Sequence, residues 1–155
     1  GRYVTYLSTA LSSATWTGVW NTAVLVVRDM TLFTNTLVSS KPYILYQDAG
    51  IAYPPPVGQA SPISADGRFV VLKSQDQSLT AVPFSVPQIF VWDRQFGVSL
   101  ASVNGLVGGA ASLECFNPAL SGNGLWSAWD TAANNLIPVD NNGASDVFVH
   151  GPGGS

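Results

Sequence analysis

Charge is what this chain has least of. Only 10% of its residues are Asp, Glu, Lys or Arg, against roughly 25% in an ordinary globular domain, so the surface must be solvated by Ser, Thr, Asn and backbone amides. The six basic residues (Arg2, Arg28, Lys41, Arg68, Lys73 and Arg94) are scattered and outnumbered by nine acidic ones. No basic stripe is present to release counterions from a phosphate backbone, which argues against nucleic acid as a partner. Long hydrophobic runs are missing too: "AVLVV" and "GLVGGAA" fall far short of the ~18 apolar residues of a membrane helix, so no membrane span is expected. A lone cysteine, Cys115, excludes an internal disulfide and reads as a small buried hydrophobe. The single methionine, Met30, is internal and no signal-peptide pattern opens the chain, which reads as a mature, processed or truncated product.

Catalytic residues are equally sparse. The one histidine, His150, ends the stretch "DVFVH". No G-x-S-x-G elbow accompanies it, and nothing in the sequence sets a serine beside it for a triad; it reads as a strand-end surface residue. Cys115 with His150 carries no local nucleophile signature. One Cys and one His cannot build a zinc site without several carboxylates. The carboxylates Asp29, Asp48, Asp66, Asp76, Asp93, Glu114, Asp130, Asp140 and Asp146 contain no motif for a glycosidase pair. The expectation is therefore a protein that is not an enzyme.

What the chain does have is apolar content and repetition. With 155 residues, 46% of them hydrophobic, it can bury the core of one domain. The stretches "GRYVTYLS", "ISADGRFVVL" and "LSGNGLWSAW" repeat one outline, with glycines at positions 1, 67 and 124, intervals of 66 and 57 residues. Each glycine precedes a stretch rich in β-branched and aromatic residues ("RYVTYLS", "RFVVLKS", "LWSAWD"). A second apolar strand follows at a distance: "AVLVVRD", "PQIFVWD" and "SDVFVHG". A third leaves the turn as "TLFTNTLVS" in copy one and "GVSLASVN" in copy two, and copy three lacks it. A further strand precedes the glycine in "SPISADG" and "NPALSGNG", where D-G and N-G signal tight hairpin turns. Four short strands at a long period are the mark of a propeller blade. The predicted fold is all-β, of β-propeller type, with three blades of four antiparallel strands, the first and last incomplete. The blade-like repeats span about 1–40, 60–104 and 117–151 of a single 1–155 segment, with long connectors at 40–59 and 105–117.

The residues "ISADGRFVVLKS…PQIFVWDRQFG" resemble the blades of TolB-like and related WD40-like (PD40-type) bacterial β-propellers, in which an S-x-D-G-[KR] turn precedes one strand and an I-[FY]-V-x-D strand follows. The stretch Leu136–Val149, "LIPVDNNGASDVFV", is similar to a secreted-propeller blade nearly residue for residue. The resemblance implies a non-enzymatic scaffold or binding module of a bacterial extracytoplasmic protein, extracellular or periplasmic, with a protein or glycan partner. Alternatives are a carbohydrate-binding, lectin-like propeller and an accessory propeller segment of a larger hydrolase. Three blades cannot close a ring, since propellers use four to eight; the chain is thus expected to be part of a longer propeller or to complete its ring as a homo-oligomer, two copies giving six blades.

Two candidate sites stand out. Trp16 and Trp20, in "SSATWTGVWNT", could stack on a sugar or a partner surface, or staple their own loop. Asp140, Asn142 and Asp146 offer oxygens around Gly143 in "VDNNGASD" to a hard cation such as calcium; without the terminal bidentate Glu of a calcium loop, they also fit an Asx-turn that orders the hairpin. Asp29, Asp66 and Asp93 read as turn acceptors for free backbone N–H groups. Trp126 and Trp129 point to opposite faces of one strand, so at least one is expected to pack between blades.

Overall fold

Where β-branched and aromatic residues follow a repeat glycine, strands form. A computed structural model of the protein describes residues 1–8, 22–38, 43–44, 62–105, 107–140 and 142–151. In chain order the strands are β1 Tyr3–Ser8, β2 Thr22–Asp29, β3 Thr34–Leu37, β4 Tyr43–Ile44, β5 Phe69–Ser74, β6 Gln88–Asp93, β7 Gly97–Leu100, β8 Phe116–Leu120, β9 Ser127–Thr131 and β10 Asp146–His150. The helical content among the described residues is one 3-10 turn, Gln77–Leu79, capped by Asp76, whose side chain accepts from the Ser78 amide.

The strands make three antiparallel sheets. The first is ordered β1-β2-β3, with the short β4 also on β2; the second is β5-β6-β7; the third is β10-β9-β8. The architecture is all-β and of propeller type, as the repeats predict. In the second copy the strand expected before Gly67 is reduced to a single bridge, Ile63 to Val70. Pro62 has no N–H to donate, so this stretch contributes the Pro62 carbonyl to Val71 and the Ser64 amide to the Phe69 carbonyl, and nothing longer. The strand expected from "GVSLASVN" stops at Leu100, where the Ala101 and Ser102 amides both turn back onto the Ile89 carbonyl.

Register decides which side chains each sheet sends to each neighbour. Along β5 and β6, alternate residues serve different cores. Val70, Leu72, Phe90 and Trp92 join Leu25, Val27 and Tyr3 of the first sheet in one cluster. Val71, Ile89, Phe69 and Val91 join Leu120, Trp129 and Phe148 of the third in another. The second sheet is therefore covered on both faces, which is why "FVVL" and "IFVW" run apolar without alternation. Each fully buried aliphatic or aromatic side chain contributes about 1.5–3 kcal/mol.

The connector after the second sheet is tied down by its own side chains. Ala111 and Cys115 enter the second cluster. Gln88 Nε2 donates to the Ala111 carbonyl at 3.1 Å, Asn135 Nδ2 to the Ala110 carbonyl at 2.9 Å, and Asn135 Oδ1 accepts from the Ser112 amide at 2.8 Å. Lys73, buried on β5, closes the same region through Glu114 at 2.6 Å. Of the connector at 40–59, the described residues are β4, paired at Thr22 and Ala23.

Candidate partner-binding faces

The repeat glycines sit where one sheet meets the next. Gly67 and Gly124 hold φ of +69° and +74°, the left-handed region that glycine enters without cost. The turns around them are built alike. Asp66 Oδ1 accepts from Ser64 Oγ and the Arg68 amide, and Asn123 Oδ1 accepts from Ser121 Oγ and the Leu125 amide. The missing side chain is also a seat. A Cβ on Gly67 would stand 2.2 Å from the Tyr3 ring, and one on Gly124 2.2 Å from the Phe69 ring. The aromatic residue two positions after one repeat glycine thus rests on the repeat glycine of the following sheet.

An arginine backs each of these rings. Arg2 Nη2 meets Asp29 at 2.7 Å and Arg68 Nη2 meets Asp93 at 2.8 Å, each with a second bond from Nε. Arg2 and Arg94 lie 5.0 and 4.8 Å from the Tyr3 centroid, and Arg68 lies 4.7 Å from that of Phe69. Hydrogen bonds from Arg2 hold the Asp29 carboxyl well below the ordinary carboxylate range, and those from Arg68 lower Asp93. Asp29 and Asp93 also accept backbone amides of their turns, from Thr31 and Leu32 and from Gln95. The turn role expected for Asp29, Asp66 and Asp93 is present. The clasp itself went unread, although "GR[YF]" and "V-x-D" recur in both copies and signalled it.

The third sheet departs from this plan. Leu125 and Gly151 stand where the clasp would be, and the Trp126 ring lies over Gly151, 2.3 Å from where a Cβ would stand. The residues equivalent to Phe69, Val71, Ile89 and Val91 are Trp126, Ala128, Val147 and Val149, and they face outward. Val147 is 75% exposed, Val149 and Trp126 each 51%. The opposite face looks to the second sheet: Trp129 is buried and stacks on Phe148 with centroids 6.4 Å apart. The expected division of Trp126 and Trp129 between two faces holds, and Trp129 is the one between sheets.

His150 shares that inner face and is half-buried, so burial lowers its pKa; it is not the surface residue expected. Contrary to the sequence reading, a serine does stand beside it, since Ser127 is its direct cross-strand partner. Sequence distance hid this pair. The Ser127 hydroxyl and His150 Nδ1 are both buried without a hydrogen-bond partner, so they do not form the bonded nucleophile and base that acyl transfer requires.

Trp16 and Trp20 lie outside the described residues. Asp140, Asn142 and Asp146 are brought together around Gly143, at φ +61°. Asp140 Oδ1 accepts from the Asn142 amide at 3.2 Å, Asn142 Oδ1 accepts from the Ala144 amide at 2.7 Å, and Asn142 Nδ2 donates to Asp146 at 3.1 Å. These are the bonds of consecutive Asx-turns, and they turn a nitrogen of Asn142, rather than an oxygen, toward Asp146. Among the described residues no three His, Cys, Asp or Glu side chains gather as metal ligands. Cys115 is fully buried and burial pushes its thiol up to about 11, which keeps it protonated and unreactive. No helix among the described residues is long and apolar enough to cross a membrane.

No protein-family model matches the chain, and no curated protein sequence matches it. A solved structure does: that of TolB from Acinetobacter baumannii aligns over 97% of this chain with a TM-score of 0.50 at 14% sequence identity. The chain spans 27% of the length of that TolB chain. At this identity the likeness concerns the fold, a β-propeller segment of three stacked sheets.

Proposed function

We propose that the chain is a non-enzymatic propeller module of a bacterial extracytoplasmic protein, which holds sheet faces rigid for a protein partner. The observation that carries this reading is the outer face of the third sheet. Val147, Val149 and Trp126 occupy positions whose counterparts in the second sheet pack in a core, yet they are half or more exposed, and exposed apolar surface on a folded scaffold marks an interaction site. The reading is also supported by the buried thiol of Cys115 and by the lack of a hydrogen bond between Ser127 and His150. An exterior setting is supported by the low charge, the uncharged polar surface and the propeller fold.

The experiment is titration of an environment-sensitive apolar dye into the folded chain, beside the double variant Val147→Ser, Val149→Ser. Dye binding to the native chain, lost in a variant whose thermal melt is unchanged, is expected. Native protein that runs as a monomer and binds no dye would overturn the reading, as would turnover of ester, peptide or glycoside substrates that His150→Gln abolishes.

A further inference from the structure

We infer that the hairpin turns of the first two sheets form, at one end of the stack, a docking surface for a protein segment that carries carboxylates among apolar side chains. This surface is distinct from the outer face of the third sheet, and the inference goes beyond the function proposed above.

The topology sorts the charges to opposite ends. Tyr3, Asp29 and Thr34 stand level across the first sheet, and Phe69, Asp93 and Gly97 across the second. Tyr3 rests on Gly67 and beneath Arg94, which sets both rows at one end of the stack. Among the described residues, Arg2, Arg28, Arg68 and Arg94 lie at this end against Asp29, Asp66 and Asp93, whereas the other end sets Lys73 against Asp76, Glu114, Asp130, Asp140 and Asp146. A chain of net charge -3 thus has a cationic end. Arg2 and Arg68 spend their charge on Asp29 and Asp93. Arg28 and Arg94 have no carboxylate partner among the described residues. Arg28 Nη1 donates to Asn35 Oδ1 at 3.1 Å and its guanidinium lies 5.9 Å from the Phe33 centroid, while that of Arg94 lies 4.8 Å from the Tyr3 centroid.

Apolar tips stand beside these cations. Met30, Leu32 and Phe33 follow Asp29, and Phe96 follows Asp93; Phe33 is 70% exposed and Phe96 83%. The strand residues that flank 9–21 and 39–61 lie away from these turns: Ser8 pairs with Val24 near the far end of β2, Val38 bonds beside Leu25, and Pro62 beside Val71.

Composition identifies the occupant. Aromatic residues, Met and Arg are enriched where proteins meet, while Lys and Glu are depleted, and that is the make-up of this end. An anionic lipid surface is held by clusters of roughly four to eight basic residues, more than the two arginines free to serve it. The planar guanidinium fork matches a carboxylate, and a ring under each guanidinium holds it in place, so less side-chain freedom is lost on binding. The partner segment therefore offers Asp or Glu to Arg28 and Arg94, and aliphatic or aromatic side chains to Phe33 and Phe96.

The test pans a random-peptide display library on the folded chain and measures the enriched peptides by fluorescence anisotropy, with circular dichroism to confirm that each variant folds. Enriched sequences are expected to carry Asp or Glu beside apolar residues and to bind less tightly as salt rises. Arg28→Gln with Arg94→Gln should weaken them about tenfold or more, the loss of two charge-assisted contacts, and Phe33→Asn with Phe96→Ser should weaken them comparably. Val147→Ser with Val149→Ser should bind them as the parent does. Enriched sequences without carboxylates, peptides held equally by the arginine variant, or a library that yields no binder would each overturn the inference. Binding to phosphatidylglycerol vesicles in place of peptide would make lipid the occupant and overturn it too. Peptides lost only in the Val147 and Val149 variant would place the partner on the third sheet, sinking this inference and leaving the binding-module reading intact.

Discussion

The second and third sheets share one register and one turn, yet the second is covered on both faces and the third on one. Ile89 is fully buried while its counterpart Val147 is 75% exposed, although "QIFVWD" and "DVFVH" are comparably apolar. The third sheet thus carries the sequence of a strand written for burial without the burial. It also lacks the clasp: Arg68 and Asp93 are matched by Leu125 and Gly151, so the aromatic ring that stands on the next sheet's glycine in two copies lies over its own sheet in the third. Composition alone does not reveal which of two like strands is finished.

The comparison can be broken at several points. The largest effect is expected in the doubly covered sheet, where Phe90→Ala should cost about 3–5 kcal/mol by cavity formation. Phe148→Ala, at the half-buried counterpart, should cost less than half as much in the same urea titration. Equal costs would mean that Phe148, on the inner face of the third sheet, is as fully buried in solution as Phe90.

The seats come next. Gly67→Ala and Gly124→Ala should each lose more than the roughly 1–2 kcal/mol of left-handed backbone strain, because the new methyl group also displaces Tyr3 or Phe69. Gly97, at φ +88° with nothing within 4 Å of a Cβ, isolates the backbone contribution. Thermal melts that rank Gly97→Ala with the other two would remove the seat from the account.

Smaller again is a polar substitution on the two aliphatic rows. Ile89→Thr buries a hydroxyl and should cost about 1–3 kcal/mol, while Val147→Thr should fall within about 0.5 kcal/mol of the parent. A loss in Val147→Thr as large as that of Ile89→Thr would mean that the Val147 row is covered in solution.

Acid should act on the clasped sheets first. The Asp29, Asp66 and Asp93 carboxyls sit below their ordinary value of 3.8. Their stabilisation is therefore complete above that pH and is lost as pH falls through their folded values. Melts recorded from about pH 5 down to about pH 2 should fall more steeply in the parent than in a variant carrying Asp29→Asn and Asp93→Asn. His150 works in a separate window. Its folded pKa lies below 6.5 because of burial, so stability should decline as pH drops below 6.5 and level off once the folded pKa is passed, a slope that His150→Gln should remove.

Much of the fold was legible because strand, turn and repeat are local. The D-G and N-G turns, the aliphatic runs after them and the spacing of the glycines place β5, β6, β8, β9 and β10 without reference to anything distant. The bridge at Ile63 was the exception, and it too has a local cause in Pro62. Across-strand partners were not legible. Ser127 and His150 face each other, and Arg68 reaches Asp93, across loops whose length says nothing of register. The Asx-turns of Asp140 and Asn142 were readable as one of two alternatives, since the same oxygens serve a turn or a cation; the amide orientation of Asn142 is a matter of its neighbours.

The sequence by itself determined that this protein is built of short antiparallel strands in three repeated units, because β-branched alternation and glycine turns act over a few residues. Tertiary structure alone decided that the repeat glycines serve as seats for aromatic rings, and that the row Trp126, Val147 and Val149 faces outward while Phe69, Ile89 and Val91 face a core. The physical reason is that burial belongs to pairs of faces: a strand can encode an apolar side, and whether that side is covered depends on the sheet stacked against it.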